Sequence, residues 1–217
     1  MKKIKSIEEA LSNIKSGMTI MVGGFLGVGS PELMIDGIIE KNINNLTLIA
    51  NDTSFPGVNY GKLVEHKLLK KVYTSHIGTN PESGRQMHSG EMEIILTPQG
   101  TLVEQIRAAG AGLGGVITPT GLGTVVEEGK QIIEIDNKRF IVEKPLKADV
   151  AILRGAKVDK KGNVYYDLAA RNFNPIMAMA ADLVIVEADE IVEVGEINPN
   201  DVMTPHVFVD VIVKGGK

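Results

Sequence analysis

The chain predicts an α/β protein: a single open, mostly parallel, doubly wound sheet with helices on both faces and one β-hairpin excursion. Two observations carry that expectation. Short apolar runs alternate with segments whose apolar residues recur at helical spacing, the pattern of repeated strand–helix units. The runs themselves, such as Leu46-Thr47-Leu48-Ile49-Ala50 and Leu183-Val184-Ile185-Val186-Glu187, are apolar enough to be buried on both faces, as parallel strands are. A third feature agrees. Glycine supplies 24 of the 217 residues, so much of the backbone sits in turns and loops, where α/β enzymes keep their sites. With 43% hydrophobic residues and no evident linker, residues 1–217 read as one domain with a full core.

The elements follow in order. Ser6 and Glu9 form the capping box of a first helix, with Ile7, Ala10, Leu11 and Ile14 on its apolar face and Gly17 ending it. Thr19 to Val22 is the first strand, and beyond a glycine loop a helix runs from Pro31 to about Glu40. Leu46 to Ala50 is the second strand, leading into the polar loop Asn51-Asp52-Thr53-Ser54-Phe55-Pro56-Gly57. Tyr60 to Leu69 reads as a helix and Lys71 to Ser75 as the third strand. His76 to Gly84 is polar and turn-rich, with a short helical turn expected before the fourth strand, Glu93 to Thr97. Pro98-Gln99-Gly100 then turns the chain, and Thr101 with Glu104 opens a second capped helix, ending near Ala109.

From Gly110 to Thr124 the chain is glycine-rich and irregular. Ile132–Ile135 and Phe140–Val142 make the hairpin, about a turn at Asp136-Asn137-Lys138. Ala148 to Leu153 resumes the buried-strand pattern, and a turn at 159–163 leads to Val164-Tyr165-Tyr166. Asn174-Pro175 precedes an apolar helix through Ala181, Leu183 to Glu187 is one more strand, and Val207 to Val213 is strand-like.

The chain is organised around Thr19-Ile20-Met21-Val22-Gly23-Gly24-Phe25-Leu26-Gly27-Val28-Gly29-Ser30-Pro31. Here a strand stops at two glycines, and Ser30 as N-cap and Pro31 at the first helical position open a helix. Strand, glycine loop and helix N-terminus together offer backbone N–H donors to an anionic or carbonyl group. The spacing fits neither a Walker loop nor a dinucleotide fingerprint. The plain alternative is a glycine turn that only lets helix and strand pack closely.

Composition narrows the function. A net charge of −4 without a long basic run argues against nucleic acid as a partner. Without cysteines there are no disulfides, and secretion is not implied. Met1-Lys2-Lys3-Ile4-Lys5 is basic, but Ser6-Ile7-Glu8-Glu9 follows instead of an apolar leader core, and no apolar run approaches the length of a membrane span. The expectation is a cytoplasmic protein.

Gly23-Gly24-Phe25, three residues, Gly29, one residue and Pro31 resemble the first signature of the family I coenzyme A transferases, as their α subunit carries it. Ile49-Ala50-Asn51-Asp52, Gly78-Thr79-Asn80-Pro81, Leu96-Thr97-Pro98-Gln99-Gly100-Thr101-Leu102, Gly121-Leu122-Gly123-Thr124 and Ala170-Arg171-Asn172-Phe173-Asn174 extend the resemblance over essentially the whole chain. It is greatest for the acetate/acetoacetate and butyrate–acetoacetate branch. The resemblance implies transfer of coenzyme A from a short-chain acyl-CoA (acetyl-, butyryl- or acetoacetyl-CoA) to a short-chain carboxylate. No cofactor is implied beyond the thioester substrate. In that family a glutamate forms an acyl anhydride and then a glutamyl-CoA thioester, in a Ser-Glu-Asn-Gly motif that does not occur here. The implied partner is a β subunit carrying that glutamate, most simply in an assembly of two α and two β chains.

By the same resemblance Asn51 and Gln99 support the reaction beside the partner's glutamate. Gly24, Phe25, Leu26, Gly27, Val28, Gly29 and Ser30 hold the coenzyme A moiety or the developing charge. Read from chemistry alone, Asn51 is equally an Asx-turn residue and Gln99 an exposed turn residue. Glu91 follows Ser89-Gly90 but lacks the Asn-Gly, and reads as a surface carboxylate, as do Glu82, Glu127 and Glu128. His76 is a general base or a structural histidine, with the second reading favoured; His66 and His206 are weaker still, and no spacing suggests a metal site. Arg107 and Arg171 either bind phosphates of coenzyme A or make surface ion pairs. Two rivals stand beside this reading. One is a nicotinamide-dependent oxidoreductase in which Asp52 holds a ribose hydroxyl, against the wrong glycine spacing and too long an offset. The other is a non-catalytic subunit that binds acyl-CoA and regulates.

Overall fold

In the computed structural model, which describes residues 3–216, strands and helices alternate as the sequence leads one to expect. The first half holds β1 (Ile4–Lys5), α1 (Ile7–Leu11), β2 (Thr19–Val22), α2 (Glu32–Glu40), β3 (Leu46–Ile49), α3 (Gly61–Glu65), β4 (Leu69–Thr74), α4 (Pro81–Ser89), β5 (Glu93–Leu96) and α5 (Gln99–Gly110). The second half holds β6 (Val116–Thr118), β7 (Ile132–Ile135), β8 (Lys138–Glu143), β9 (Ala148–Asp159), β10 (Val164–Tyr165), α6 (Asn174–Met177), β11 (Ala181–Val192) and β12 (Val211–Lys214). The main sheet runs β1-β12-β11-β9-β2-β3-β4-β5 with every pair parallel, and β10 lies antiparallel on β9.

Side-chain alternation along the strands makes the two faces. Ile20, Val22, Leu48, Val150 and Ile152 pack with Leu11, Met34, Ile35, Ile38 and Leu63 of α1, α2 and α3. The intervening Met21, Ile49, Ala151 and Leu153 pack on the opposite face with Leu102 and Ile106 of α5 and Met177 of α6. Burying an Ile or Leu contributes about 1.5–3 kcal/mol, against about 1–2 kcal/mol of backbone entropy per residue. That balance lets β2 hold with four residues, three of them buried. From β2 the chain builds outward through β3, β4 and β5, then returns to the other side of β2 with β9, β11 and β12. The winding reverses between β2 and β9, where open α/β sheets form their ligand crevice.

Several elements differ from expectation for identifiable reasons. The hairpin gains a third strand, β6, giving a separate antiparallel sheet β6-β8-β7; three half-covered residues amid glycines carry too little pattern to be read. The helix expected over 60–69 is only α3, because Lys67 turns left-handed (φ 54°) and Leu69 already belongs to β4. α4 is a full nine residues, opened by Pro81 and closed by Gly90 at φ 74°.

The Ser6–Glu9 capping box is present, but the Thr101–Glu104 box is not. Only Thr97 and Pro98 separate β5 from α5, so Pro98 takes the N-cap and Thr101 falls inside the first turn. Likewise Pro31, not Ser30, is the N-cap residue of α2. α6 is a single turn because Ala181 starts β11, and the strand-like tail narrows to β12 after a 3-10 turn at His206–Phe208. β9 and β11 extend past Leu153 and Glu187 to twelve residues each, and they stay paired to Asp159 and Val192.

Candidate active site

Because the main strands are parallel, the loops after β2, β3, β4 and β5 gather at one edge of the sheet. At their centre is Asp52, which is fully buried. Its Oδ2 accepts from the Leu26 N–H (2.9 Å) and from Asn51 Nδ2 (2.7 Å), and its Oδ1 accepts from the Ser54 N–H (2.6 Å) and the Tyr60 hydroxyl (2.8 Å). Burial first, and the Asp52 carboxylate second, push the Tyr60 hydroxyl far above its ordinary range, so it stays a donor. With both oxygens taken, Asp52 has nothing left to offer a ribose, and the nicotinamide reading loses its anchor.

Asn51 and Gln99, 48 positions apart in the sequence, meet at this edge. Gln99 Nε2 donates to Asn51 Oδ1 at 2.6 Å. Asn51 is 2% exposed and its backbone carbonyl accepts from Ser75, while Gln99 lies exposed at the start of α5. The 78–81 segment braces the same loop: Thr79 Oγ1 donates to the Ser54 carbonyl (2.8 Å) and Asn80 Nδ2 to that of Thr53 (3.1 Å).

The glycine loop is tighter than its composition suggests. Phe25 and Val28 exchange both backbone hydrogen bonds (3.1 and 2.9 Å) about Leu26 and Gly27, which have φ 49° and 89°. Positive φ at both central residues is the geometry of a primed hairpin turn. The amides of Phe25, Leu26, Val28 and Ser30 are thereby engaged within the protein, and that of Gly27 faces the Tyr60 hydroxyl. Among the described residues the N–H groups of Gly24 and Gly29 have no hydrogen-bond acceptor. The side chains of Phe25 and Val28, by contrast, are exposed at the tip.

The helix behind the loop does not present a free N-terminus. Glu187, buried at the core of β11, accepts from the Met34 N–H (3.0 Å), and burial raises its carboxyl above the usual value. The positive end of α2 is therefore filled from within. The 170–174 segment closes the loop from the other side: Asn172 Nδ2 donates to the Val28 carbonyl (2.9 Å), and Asn174 Nδ2 to those of Gly29 (3.0 Å) and Ala170 (2.8 Å).

The helix end that stays open is that of α5. Pro98 caps it without a side-chain bond, its first turn holds no acid, and Gln99, Gly100 and Thr101 precede the first helical bond, from the Leu102 N–H to the Pro98 carbonyl. Beside it a cleft of about 560 Å³ runs between Gly100, Thr101 and Glu104 and the β6 side, Val116 to Thr120.

The other candidates fall outside this cluster. Glu91 is held by Arg85 (2.7 Å) and Lys67 (2.8 Å), with Arg85 the main cause of its depressed carboxyl. Glu82 pairs with the same arginine and Glu127 with Arg139, while Glu128 is exposed. Arg107 pairs with Glu104 (3.2 Å), and Arg171 and His76 are exposed. The sequence reading passed over Arg154. It lines a crevice of about 460 Å³ with Gly27, Val28 and Gly29 at the winding reversal, its Nε on Asp189 (2.8 Å). Its only sequence signal is a cation immediately following a buried run. Among the described residues no three His, Cys, Asp or Glu side chains are placed to hold a metal ion, and no helix is long and apolar enough to cross a membrane.

The family model for coenzyme A transferase matches residues 4–215. The acetate CoA-transferase subunit alpha of Escherichia coli K12 is 52% identical over 211 residues, covering 97% of this chain and 96% of that protein. The acetoacetyl-CoA:acetate/butyrate CoA transferase alpha subunit of Clostridium acetobutylicum is 49% identical over 212 residues, covering 98% and 97%. An acyl-CoA transferase of Escherichia coli O157:H7, solved as a thioester complex with CoA, has the same fold, with a TM-score of 0.87 at 23% identity. The match covers 97% of this chain but 46% of that one, so this chain spans less than half of the longer molecule.

Proposed function

The chain belongs to the coenzyme A transferase family, and on that premise we propose that it is the α subunit of a two-chain enzyme. That enzyme moves coenzyme A between a short-chain acyl-CoA (acetyl-, butyryl- or acetoacetyl-CoA) and a short-chain carboxylate. The observation that carries this reading is the run of hydrogen bonds from Gln99 through Asn51 to Asp52 at the sheet edge. It holds amide groups in place beside an open helix end, while the neighbouring carboxylates Asp52 and Glu104 are both engaged.

In the proposed reaction a glutamate of the β subunit attacks the thioester carbonyl, and the thiolate of coenzyme A leaves, forming a mixed anhydride. The thiolate then attacks the glutamyl carbonyl and releases the first acid, leaving a glutamyl-CoA thioester. The second carboxylate reverses both steps. Each attack builds negative charge on a carbonyl oxygen. The free N–H of Gln99, with the first-turn amides of α5, is the donor set this chain brings to it, at about 3 kcal/mol for a well-placed donor. Asn51 holds that amide from behind. Gly24 to Ser30 form a rigid wall for the coenzyme A moiety, with Phe25 and Val28 turned outward. The reaction calls for no cofactor beyond the thioester, and acyl-CoA as substrate points to the cytoplasm.

The test is mass spectrometry of the two-chain enzyme after acyl-CoA treatment. A coenzyme A adduct on the partner is expected, together with no turnover by this chain alone. An adduct on any residue of this chain, or turnover without a partner, would overturn the reading.

A further inference from the structure

We propose that Asp52 is a positioning residue that sets which way the Gln99 amide faces, acting through Asn51, and ties that setting to the glycine loop. The inference rests on the reading of Gln99 as a group that supports the transfer.

Four donors converge on Asp52, from Leu26, Asn51, Ser54 and Tyr60, so both of its oxygens act as acceptors. An amide side chain has one accepting end and one donating end. Since Asn51 must turn its Nδ2 to Asp52, its Oδ1 is left facing Gln99. Gln99 in turn must offer Nε2, and its Oε1 and second N–H are directed away from Asn51. A carboxylate that never touches substrate thereby decides the orientation of an exposed amide two hydrogen bonds away.

Burial keeps the relay from slipping. Asn51 is 2% exposed and Asp52 fully buried, so water does not offer Asn51 an alternative partner. The same carboxylate holds the Leu26 N–H at a residue whose φ of 49° is unfavourable outside glycine, and so pins the tip of the glycine loop. One group sets both the amide and the loop that border the site. Asp52→Asn breaks the logic, because its single oxygen can serve only one of the two donor pairs, and with Nδ2 in the Oδ2 place it donates to Asn51 Oδ1. Asn51 then flips, and Gln99 must flip with it.

The test is a double-mutant cycle on the two-chain enzyme, reading kcat and KM for acetoacetyl-CoA with acetate as acceptor. Asp52→Asn is expected to lower kcat at least about 10-fold, with KM changing less than about threefold. In a Gln99→Ala background the same change should cost less than about twofold, because the amide it misdirects is gone. Equal losses in both backgrounds would overturn the proposal, showing that Asp52 acts through the loop alone. Should Asp52→Asn fail to assemble with its partner, Asn51→Ala runs the same cycle. It cuts the relay and leaves the Leu26, Ser54 and Tyr60 bonds intact, and an effect additive with Gln99→Ala would again overturn the proposal. Full turnover by Gln99→Ala alone is a separate outcome. It would remove the reading of Gln99 itself, and the proposal with it.

Discussion

Gly29→Ala should damage this protein more than Gly27→Ala, although both glycines have positive φ, of 78° and 89°. An L residue in that region costs about 1–2 kcal/mol. The difference lies in what the added methyl meets. At Gly29 it would sit 2.8 Å from both Cα and the carbonyl oxygen of Ala170, backbone atoms that move only if the 168–171 turn moves. At Gly27 the nearest atoms are Asn59 Nδ2 at 2.8 Å, which donates to the Gly27 carbonyl, and Val58 Cγ1 at 3.0 Å, side-chain atoms that give way more readily than backbone. Overpacking adds about 1–3 kcal/mol at Gly29, for a total of about 2–5, against about 1–2 at Gly27. For a chain of 217 residues, at about 2–4 °C per kcal/mol, Gly29→Ala should melt roughly 4–20 °C below wild type and Gly27→Ala roughly 2–8 °C below. Calorimetry of the two variants beside wild type measures this directly. Equal melting temperatures, or a Gly29 variant within about 2 °C of wild type, would refute the reasoning that the loop is locked against the 168–171 turn.

Tyr60→Phe removes one of four bonds to a buried carboxylate, worth about 1.5–3 kcal/mol, and should lower the melting temperature by roughly 3–12 °C. Because the folded protein holds the Tyr60 proton above its ordinary pKa of 10, wild type should also lose stability as pH rises past that value, a slope shallower in the variant, where only the buried Tyr166 still contributes to it; parallel pH–melting curves would contradict it. Glu187 has the same sign. Its carboxyl is raised by burial, so the stability it contributes is complete below the usual 4.5 and declines as pH climbs through its higher folded value. Glu187→Gln, which retains an oxygen for the Met34 N–H, should therefore gain on wild type between about pH 4.5 and neutrality, and a melting-temperature gap that widens against the variant would show the opposite sign.

Much of the fold was legible because it rests on long-range repetition. The six strand runs beginning at Thr19, Leu46, Lys71, Glu93, Ala148 and Leu183 all became parallel strands, and the faces followed from their alternation. What could not be read was set by neighbours. Val116–Thr118 is β-branched throughout but only three residues long, too short to be read as a strand until β8 pairs beside it. The Ser6–Glu9 and Thr101–Glu104 boxes look alike as sequence, yet only the first had room to form, because the second lies two residues inside a helix that Pro98 had already started.

The site divides along the same line, between what a residue is and what it faces. Asn51 and Gln99 were singled out by family resemblance, while their chemistry alone left both as turn residues; the 2.6 Å bond between them exists only once β3 and β5 bring their ends to one edge. Asp52 carried a signal that favoured only the nicotinamide rival. An acid after a strand suggests an exposed ligand contact, but Leu26, Ser54 and Tyr60 turn it into an interior acceptor. The glycine loop shows why such signals invert. Its amides seemed free because nothing in the sequence competes for them, and the helix behind it seemed to end in open positive charge. Carbonyls of the loop itself take the amides of Phe25, Val28 and Ser30, Asp52 takes that of Leu26, and Glu187, the one carboxylate that ends an otherwise apolar run, takes that of Met34 in the helix. An array of donors attracts whatever acceptor the fold delivers first, and here the protein's own carboxylates arrive at α2. At α5 no carboxylate occupies the first turn, and Gln99 stands there exposed. A helix end therefore becomes a candidate for a ligand only after every acceptor that the tertiary fold can bring to it has been counted.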